Sequence, residues 1–251
     1  MLHRKEGEIE WLEFELLADV PNLVHASFLR HGGVSTDAFD SLNAGGNSGD
    51  TLDSIAQNRE RMRQCLKLKR LVSENQTHSD IVNLISFEHE PTDDSCDGLI
   101  TKDRDLGLMM KHADCQAAIF YDPIHKAIAN VHCGWRGNVA NIYAKTVAKM
   151  GQTIGSDPKE LLVCISPSLG PSASEFINYQ RELPKEFWSF QVKPTYFDLW
   201  AISRMQLEEA GVLSHHIQIA EMCTFSNPDK FFSYRRVKVS GRHATIVGLR
   251  R

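Results

Sequence analysis

GLMMKHADCQAAIFYDPIHKAIANVH (Gly107–His132) holds three short apolar runs, Gly107–Lys111, Ala117–Tyr121 and Ala127–His132, parted by polar and turn-forming residues. Each run is too short for an ordinary helix and is bounded by Asp, Pro or Gly, which predicts strands. Working outward, Ile81–Phe87 and Gly98–Thr101 upstream and Leu161–Ile165 downstream read the same way. Strand-like segments lie at Ile9–Leu17 and His25–Leu29, and Ala244–Leu249 is apolar enough for a central strand. A glycine-rich stretch, Gly32–Gly49, precedes a helix expected over Leu52–Leu66. Val139, Ile142, Tyr143, Val147 and Met150 form a stripe that predicts a helix over Gly137–Met150. Loop and short helix are expected from Pro184, then a helix over Leu199–Ala210 closed by Gly211. Strands and helices mix without regular βαβ alternation. That pattern predicts a single α/β domain over residues 1–251, built on a mixed sheet.

Composition excludes several classes of function. Of 251 residues, 42% are hydrophobic and 24% charged, an ordinary balance for a folded domain. The net charge of −4 provides no global basic field, so no nucleic-acid partner is expected. No window approaches the ~20 apolar residues of a membrane span, and MLHRKEGEIEW lacks the apolar core of a signal peptide. The six cysteines are scattered without paired spacing, which predicts reduced thiols and a cytoplasmic protein, as a monomer or small homo-oligomer. Arg59–Arg70 is locally basic and reads as a solvated amphipathic helix, from which Arg59 could reach a substrate phosphate.

The chemistry centres on His78 in NQTHSD, Cys115 and His132. Cys115 and His132 border predicted strands, where a side chain can leave the core and face a cleft. Two imidazoles and one thiolate suit Zn²⁺ with its fourth position open, and sulfur with nitrogen disfavours Mg²⁺ and Ca²⁺. Eleven His and six Cys permit many such triples, so spacing alone leaves the ligand set open. Strand alternation turns Cys133 away from the face of His132, and Asp114 away from that of Cys115, leaving Asp114 a structural acceptor. Gly134-Trp135-Arg136-Gly137 leads into a helix. Its N–H groups and Arg136 can bind phosphate or carboxylate, or it can be a packed turn. Phe231–Arg236 offers aromatic faces and cations, or a half-buried edge strand.

RHGGVS (Arg30–Ser35), SLNAGGNSGD (Ser41–Asp50), CDGLIT, ADCQAAIFYDP, VHCGWRG and FFSYRR together resemble the YfiH-like, or laccase-domain, family over nearly the whole chain. The resemblance implies a layered α/β sandwich and a zinc site at His78, Cys115 and His132. It implies zinc-dependent phosphorolysis of a purine nucleoside (adenosine, inosine, guanosine or methylthioadenosine), with adenosine deamination in some members. It also brings Arg30, Asn43 and Arg235 forward as substrate contacts: Arg30 for phosphate, Asn43 for a purine or ribose edge. Two positions depart from the family pattern. Ser79 stands where Gly usually follows the first ligand His, and Cys133 where Ala usually follows the last. Ser79 would alter the turn if that Gly served a positive φ.

Other readings stand beside this one. Copper-dependent phenol oxidation needs paired H-x-H ligands, and the chain has none, leaving only a lone copper in the same site in vitro. The deaminase H-x-E…P-C-x-x-C signature is also missing, so deamination would use another constellation. A metal-free alternative makes Cys115 the nucleophile and His132 its base, giving a hydrolase or amidase; the family resemblance implies editing of peptidoglycan precursors as one such activity. His78 discriminates, because only the metal site requires it. A purely binding module fits the many Gly-bounded strand ends less well.

Overall fold

The apolar runs become strands buried on both faces, as the computed structural model, which describes residues 1–46, 48–90 and 95–251, makes plain. Asn47 of the glycine-rich stretch lies outside the described residues. In chain order the strands are β1 (Leu2–Glu6), β2 (Ile9–Glu13), β3 (Leu23–Phe28), β4 (Arg70–Val72), β5 (Val82–Leu84), β6 (Gly98–Thr101), β7 (Leu106–His112), β8 (Gln116–Asp122), β9 (Ala127–Cys133), β10 (Leu162–Ile165), β11 (Gln191–Lys193), β12 (Tyr196–Phe197), β13 (Ile217–Ile219) and β14 (His243–Leu249). The α-helices are α1 (Glu15–Ala18), α2 (Leu52–Cys65), α3 (Trp135–Val139), α4 (Ile142–Ile154), α5 (Tyr179–Glu182) and α6 (Leu199–Glu209).

The expected layered α/β sandwich is present: twelve strands divide between two six-stranded mixed sheets, and β11 and β12 form a two-stranded sheet. One runs β1-β2-β3-β14-β7-β4, the other β13-β10-β8-β9-β6-β5. Pairing is antiparallel except for β4 with β7, β10 with β13 and β5 with β6. The strand β14 is central, as expected, between β3 and β7.

Side-chain alternation explains the layers. Leu106, Leu108, Met110 and Val247 of the first sheet meet Ala117, Ile119, Tyr121 and Ile128 of the second. The alternate residues Ala118, Phe120, Ala129 and Val131 point the other way, onto Ile142, Tyr143, Val147 and Met150 of α4. On the far side, Met62 of α2 packs on Ala26, Phe28, Met109 and Ile246 of the first sheet. Strands covered on both faces read as continuous apolar runs, because neither face has water to favour polar residues. Fully burying a side chain such as Ile119 is worth about 1.5–3 kcal/mol. Phe120→Ala would cost about 3–5 kcal/mol through the cavity it leaves.

Local signals set the helix ends, while one helix and two strands differ from expectation. Thr51 and Asp198 cap α2 and α6 by accepting from Ser54 N and Ala201 N, and Gly211 closes α6 at φ 96°. The expected helix over Gly137–Met150 is two, α3 and α4. Asn141 adopts φ 52° and its side chain accepts from Ala144 N, which starts a new helix there. The strand expected over Ile9–Leu17 stops at Glu13, where Phe14 turns the chain into α1. Of Ile81–Phe87 only Val82–Leu84 pairs, beside the short β6. Among the described residues no helix is long and apolar enough to cross a membrane.

Candidate metal centre

Three strand ends and one turn build the centre. In the β8–β9 pair Ala117 faces His132 and Gln116 faces Cys133. Cys115, just before β8, therefore lies beside the end of β9. His78 sits in the turn between β4 and β5. One ligand atom each from His78, Cys115 and His132 all lie within 4.8 Å of one another. Cys115 Sγ is 3.8 Å from His78 Nε2, and the two imidazoles meet edge to face with centroids 4.9 Å apart. A tetrahedral zinc with bonds of about 2.3 Å to sulfur and about 2.1 Å to nitrogen separates two such ligands by about 3.6 Å, so the donor set fits.

Gly134 makes room for this approach. A Cβ there would lie 2.8 Å from His78 Cδ2 and 3.0 Å from Cys115 Sγ. Its glycine is needed for close packing and not for a special backbone angle, since its φ is −82°.

Asp97, fully buried just before β6, organises the other two elements. One carboxylate oxygen accepts from His132 Nδ1 at 2.7 Å and from the His78 N–H at 3.1 Å. The other accepts from the N–H groups of Thr77 and Ser79 and from Ser79 Oγ, at 3.2, 2.6 and 2.7 Å. His132 is thereby held with Nε2 toward Cys115, the arrangement in which an outer carboxylate orients a metal-binding imidazole. Burial raises the Asp97 pKa, but the His132 hydrogen bond and charge and the Ser79 contacts outweigh it and keep the group below the ordinary carboxylate value. Burial likewise pushes the Cys115 thiol up, yet His132 and His78 bring it down to about 6. The positive φ of this turn falls on His78, at 62°, and not on Ser79. The Ser79 departure therefore strains nothing and adds a hydroxyl to Asp97.

Cys133 turns away as expected. It packs toward Gly137 and the α4 side, where burial raises its pKa far above the ordinary thiol value. Asp114 is the structural acceptor expected, taking Thr224 Oγ1 at 2.7 Å and the Arg235 N–H at 2.6 Å.

The triad opens into a cleft of about 790 Å³. Arg59, Arg136 and Arg235 line it. Arg59 is held on Ala44 O, and Arg235 on the carbonyls of Ala173 and Glu175, while Arg136 stacks over Trp135 at 4.4 Å. Arg30 and Asn43, expected as substrate contacts, are not among the residues that line the cleft. Arg30 donates to the carbonyls of Asp40 and Pro228 and lies over Phe232. Asn43 is fully buried and spends its amide on Gly45, Asp50 and Arg242 N, tying the glycine-rich loop to the start of β14. Residues 231–236 form no edge strand: Phe231–Ser233 are a buried irregular segment that leads into a turn at 234–236, where Tyr234 is exposed.

Sequence reasoning missed Asp97, Gln76, Lys111 and Arg242. Gln76 pairs twice with the Lys111 main chain, Nε2 to O at 2.8 Å and Oε1 from N at 2.9 Å. Only Asp97, inside CDGLIT and directly before the expected strand Gly98–Thr101, carried any local signal; the others are brought in by the fold.

The fold is thus a two-sheet α/β sandwich in which a His–Cys–His triad able to hold a metal ion opens into a cleft lined by arginines. Residues 24–250 match the family described as multi-copper polyphenol oxidoreductase laccase, and the chain belongs to that family. It is 30% identical to a Bacteroides thetaiotaomicron protein named purine nucleoside phosphorylase, covering 92% of this chain and 93% of that one. It is 28% identical to purine nucleoside phosphorylase YlmD of Bacillus subtilis, over 88% and 86% of the two chains. The crystal structure of a Bacillus licheniformis hypothetical protein, YfiH, superposes with a TM-score of 0.88 at 26% identity, covering 99% of each chain.

Proposed function

We propose that this chain, as a single catalytic domain over residues 1–251, is a zinc-dependent purine nucleoside phosphorylase. The observation that carries the reading is the meeting of the His78–Cys115–His132 triad with cleft arginines held by main-chain carbonyls and not by carboxylates. Such arginines keep an unneutralised charge, and a substrate anion supplies the counter-charge. The names of the relatives support the same reaction class.

In phosphorolysis a phosphate oxygen bonds to C1′ of the ribose as the C1′–N9 bond breaks. The electron pair leaves with purine N9, and a proton makes the base neutral. The sugar passes through an oxocarbenium-like state. A cationic cleft wall that includes Arg59 holds phosphate against that developing cation, and Arg136 and Arg235 line the rest of the cleft. Trp135 and Phe176, edge to face at 6.1 Å on the cleft wall, offer aromatic surface to a planar base. Asp97 keeps His132 in one tautomer and orientation. Bound zinc supplies a Lewis acid that draws charge from a substrate oxygen or nitrogen. Adenosine, inosine, guanosine and methylthioadenosine are the substrates to compare.

Product analysis with isotopically labelled phosphate tests the reading. Labelled sugar 1-phosphate and free base in equal amounts are expected. Base release without label in the sugar contradicts phosphorolysis, and conversion of adenosine to inosine without phosphate marks the deaminase activity instead.

A second reading has its own observation. Cys115, His132 and Asp97 also stand in the order of a nucleophile, its base and the carboxylate orienting that base. A Cys–His amidase of this kind needs no His78. Amide hydrolysis surviving His78→Ala and metal removal would favour it.

A further inference from the structure

The cleft holds a second cluster of cations that the triad does not explain. Lys111 is the penultimate residue of β7, Arg242 immediately precedes β14, and Arg59 lies on α2; all three line the cleft. Each is aimed by main-chain carbonyls. Arg59 Nε and Nη2 donate to Ala44 O at 3.0 and 2.7 Å, and Lys111 Nζ to Glu74 O at 2.9 Å. Arg242 Nη1 donates to the carbonyls of Ser240 and Gly241 at 2.6 and 3.0 Å. None of the three forms an ion pair among the described residues. The nearby Glu74 carboxylate is turned to His89, with Oε1 2.6 Å from Nε2.

The glycine-rich loop brings these cations together. A Cβ on Gly45 would lie 2.6 Å from Arg242 Cγ, so only glycine lets that side chain pass; one on Gly46 would lie 4.0 Å from Arg59 Nη2. Asn43 locks the arrangement by accepting from both Gly45 N and Arg242 N. Burial and then the charge of Arg59 lower the Lys111 pKa to about 8, with the Glu74 charge opposing the shift. Arg242 and Cys115 line the same cleft, which places this corner beside the candidate metal centre.

We propose that Arg59, Lys111 and Arg242 form the oxyanion subsite of the cleft, and that its ligand is inorganic phosphate. Cationic donors held by main-chain carbonyls along one cleft wall suit a small tetrahedral dianion. Placement next to the triad suits the phosphate that attacks C1′, since the 5′-phosphate of a nucleotide lies at the far end of the ribose from the glycosidic bond. The assignment to inorganic phosphate rests on the phosphorylase reading, whereas the existence of the subsite does not.

Two measurements test it. In the wild-type protein, Lys111 is modified with an amine-directed acylating reagent and the site quantified by peptide mass spectrometry, with and without inorganic phosphate or adenosine 5′-monophosphate. In parallel, phosphate and nucleoside KM are compared for wild type and Lys111→Met and Arg242→Met. Phosphate is expected to protect Lys111, and each variant to raise phosphate KM by about tenfold or more with a much smaller change for nucleoside. Protection by phosphate in a protein that cleaves no nucleoside would uphold the subsite while refuting the phosphorylase reading. Active protein whose Lys111 phosphate leaves unprotected, and whose variants keep the wild-type phosphate KM, would overturn the subsite. Protection by the nucleotide alone would overturn the assignment to inorganic phosphate.

Discussion

Asp97 holds His132 and the His78 turn with a single carboxylate: Oδ1 lies 2.7 Å from His132 Nδ1 while the N–H groups of Thr77, His78 and Ser79 converge on the same group. Two of the three proposed metal ligands thus depend on one buried anion that touches no metal itself. Asp97→Asn keeps the shape but removes the charge, and one amide NH₂ would face donors. Metal affinity is expected to fall about 10–100-fold. Competition with a chelator measures this; an unchanged affinity would deny Asp97 its positioning role.

Gly134→Ala tests the tightness of the centre. The new methyl would crowd His78 and Cys115 at 2.8 and 3.0 Å, so a ligand must move. Metal content at a fixed zinc concentration is expected to drop, with a stability cost of about 1–3 kcal/mol from overpacking. A variant that unfolds like wild type and binds metal equally well would show that the site has slack the structure lacks.

Gln76 clamps the His78 loop to β7 through the two Lys111 main-chain bonds. Gln76→Ala leaves both main-chain groups without their partner, at a cost of about 1–3 kcal/mol. Because His78 is two residues away, metal affinity should fall as well. Hydrogen exchange is expected to quicken at Lys111 N–H; slow exchange there in the variant would show that the clamp is dispensable.

Acid lability follows from buried neutral histidines. His25 accepts from Phe14 N at 2.7 Å, and burial lowers its pKa to about 4. His243, fully buried with no hydrogen-bond partner among the described residues, is lowered by burial to about 3. Both folded values lie below the unfolded value near 6.5, so the unfolded chain binds more protons and stability declines as pH falls below about 6.5. By pH 4 His25 alone accounts for on the order of 3 kcal/mol. His243→Phe should flatten the acid limb of denaturant unfolding measured against pH, at little cost near neutrality. An equally steep limb would remove His243 from this account.

Much of this architecture is legible locally. Apolar runs such as Ala117–Tyr121 announce buried strands because both of their faces are covered, and Thr51 and Gly211 mark helix ends by their own chemistry. The division into two sheets is not legible, because it depends on pairings such as Ser27 with Thr245, set by long-range packing. The helix break at Asn141 hides inside a continuous apolar stripe, since Ile142 and Tyr143 keep the periodicity across it. Within the site, the family resemblance pointed to the triad, and alternation placed Cys133 and Asp114. Lys111 looks like one polar residue ending a strand, and only the fold brings it near Arg59 and Arg242. Arg30 and Asn43 show the converse: residues that look like ligand contacts shape the loops instead.

The most direct test of the central claim is zinc content measured together with phosphate-dependent nucleoside cleavage, in wild type and in His78→Ala. About one zinc per chain is expected in the wild type, with base release that requires phosphate, and both should be lost in the variant. A wild type that binds no zinc under saturating metal, or a His78→Ala protein that cleaves nucleoside at the wild-type rate, would contradict it.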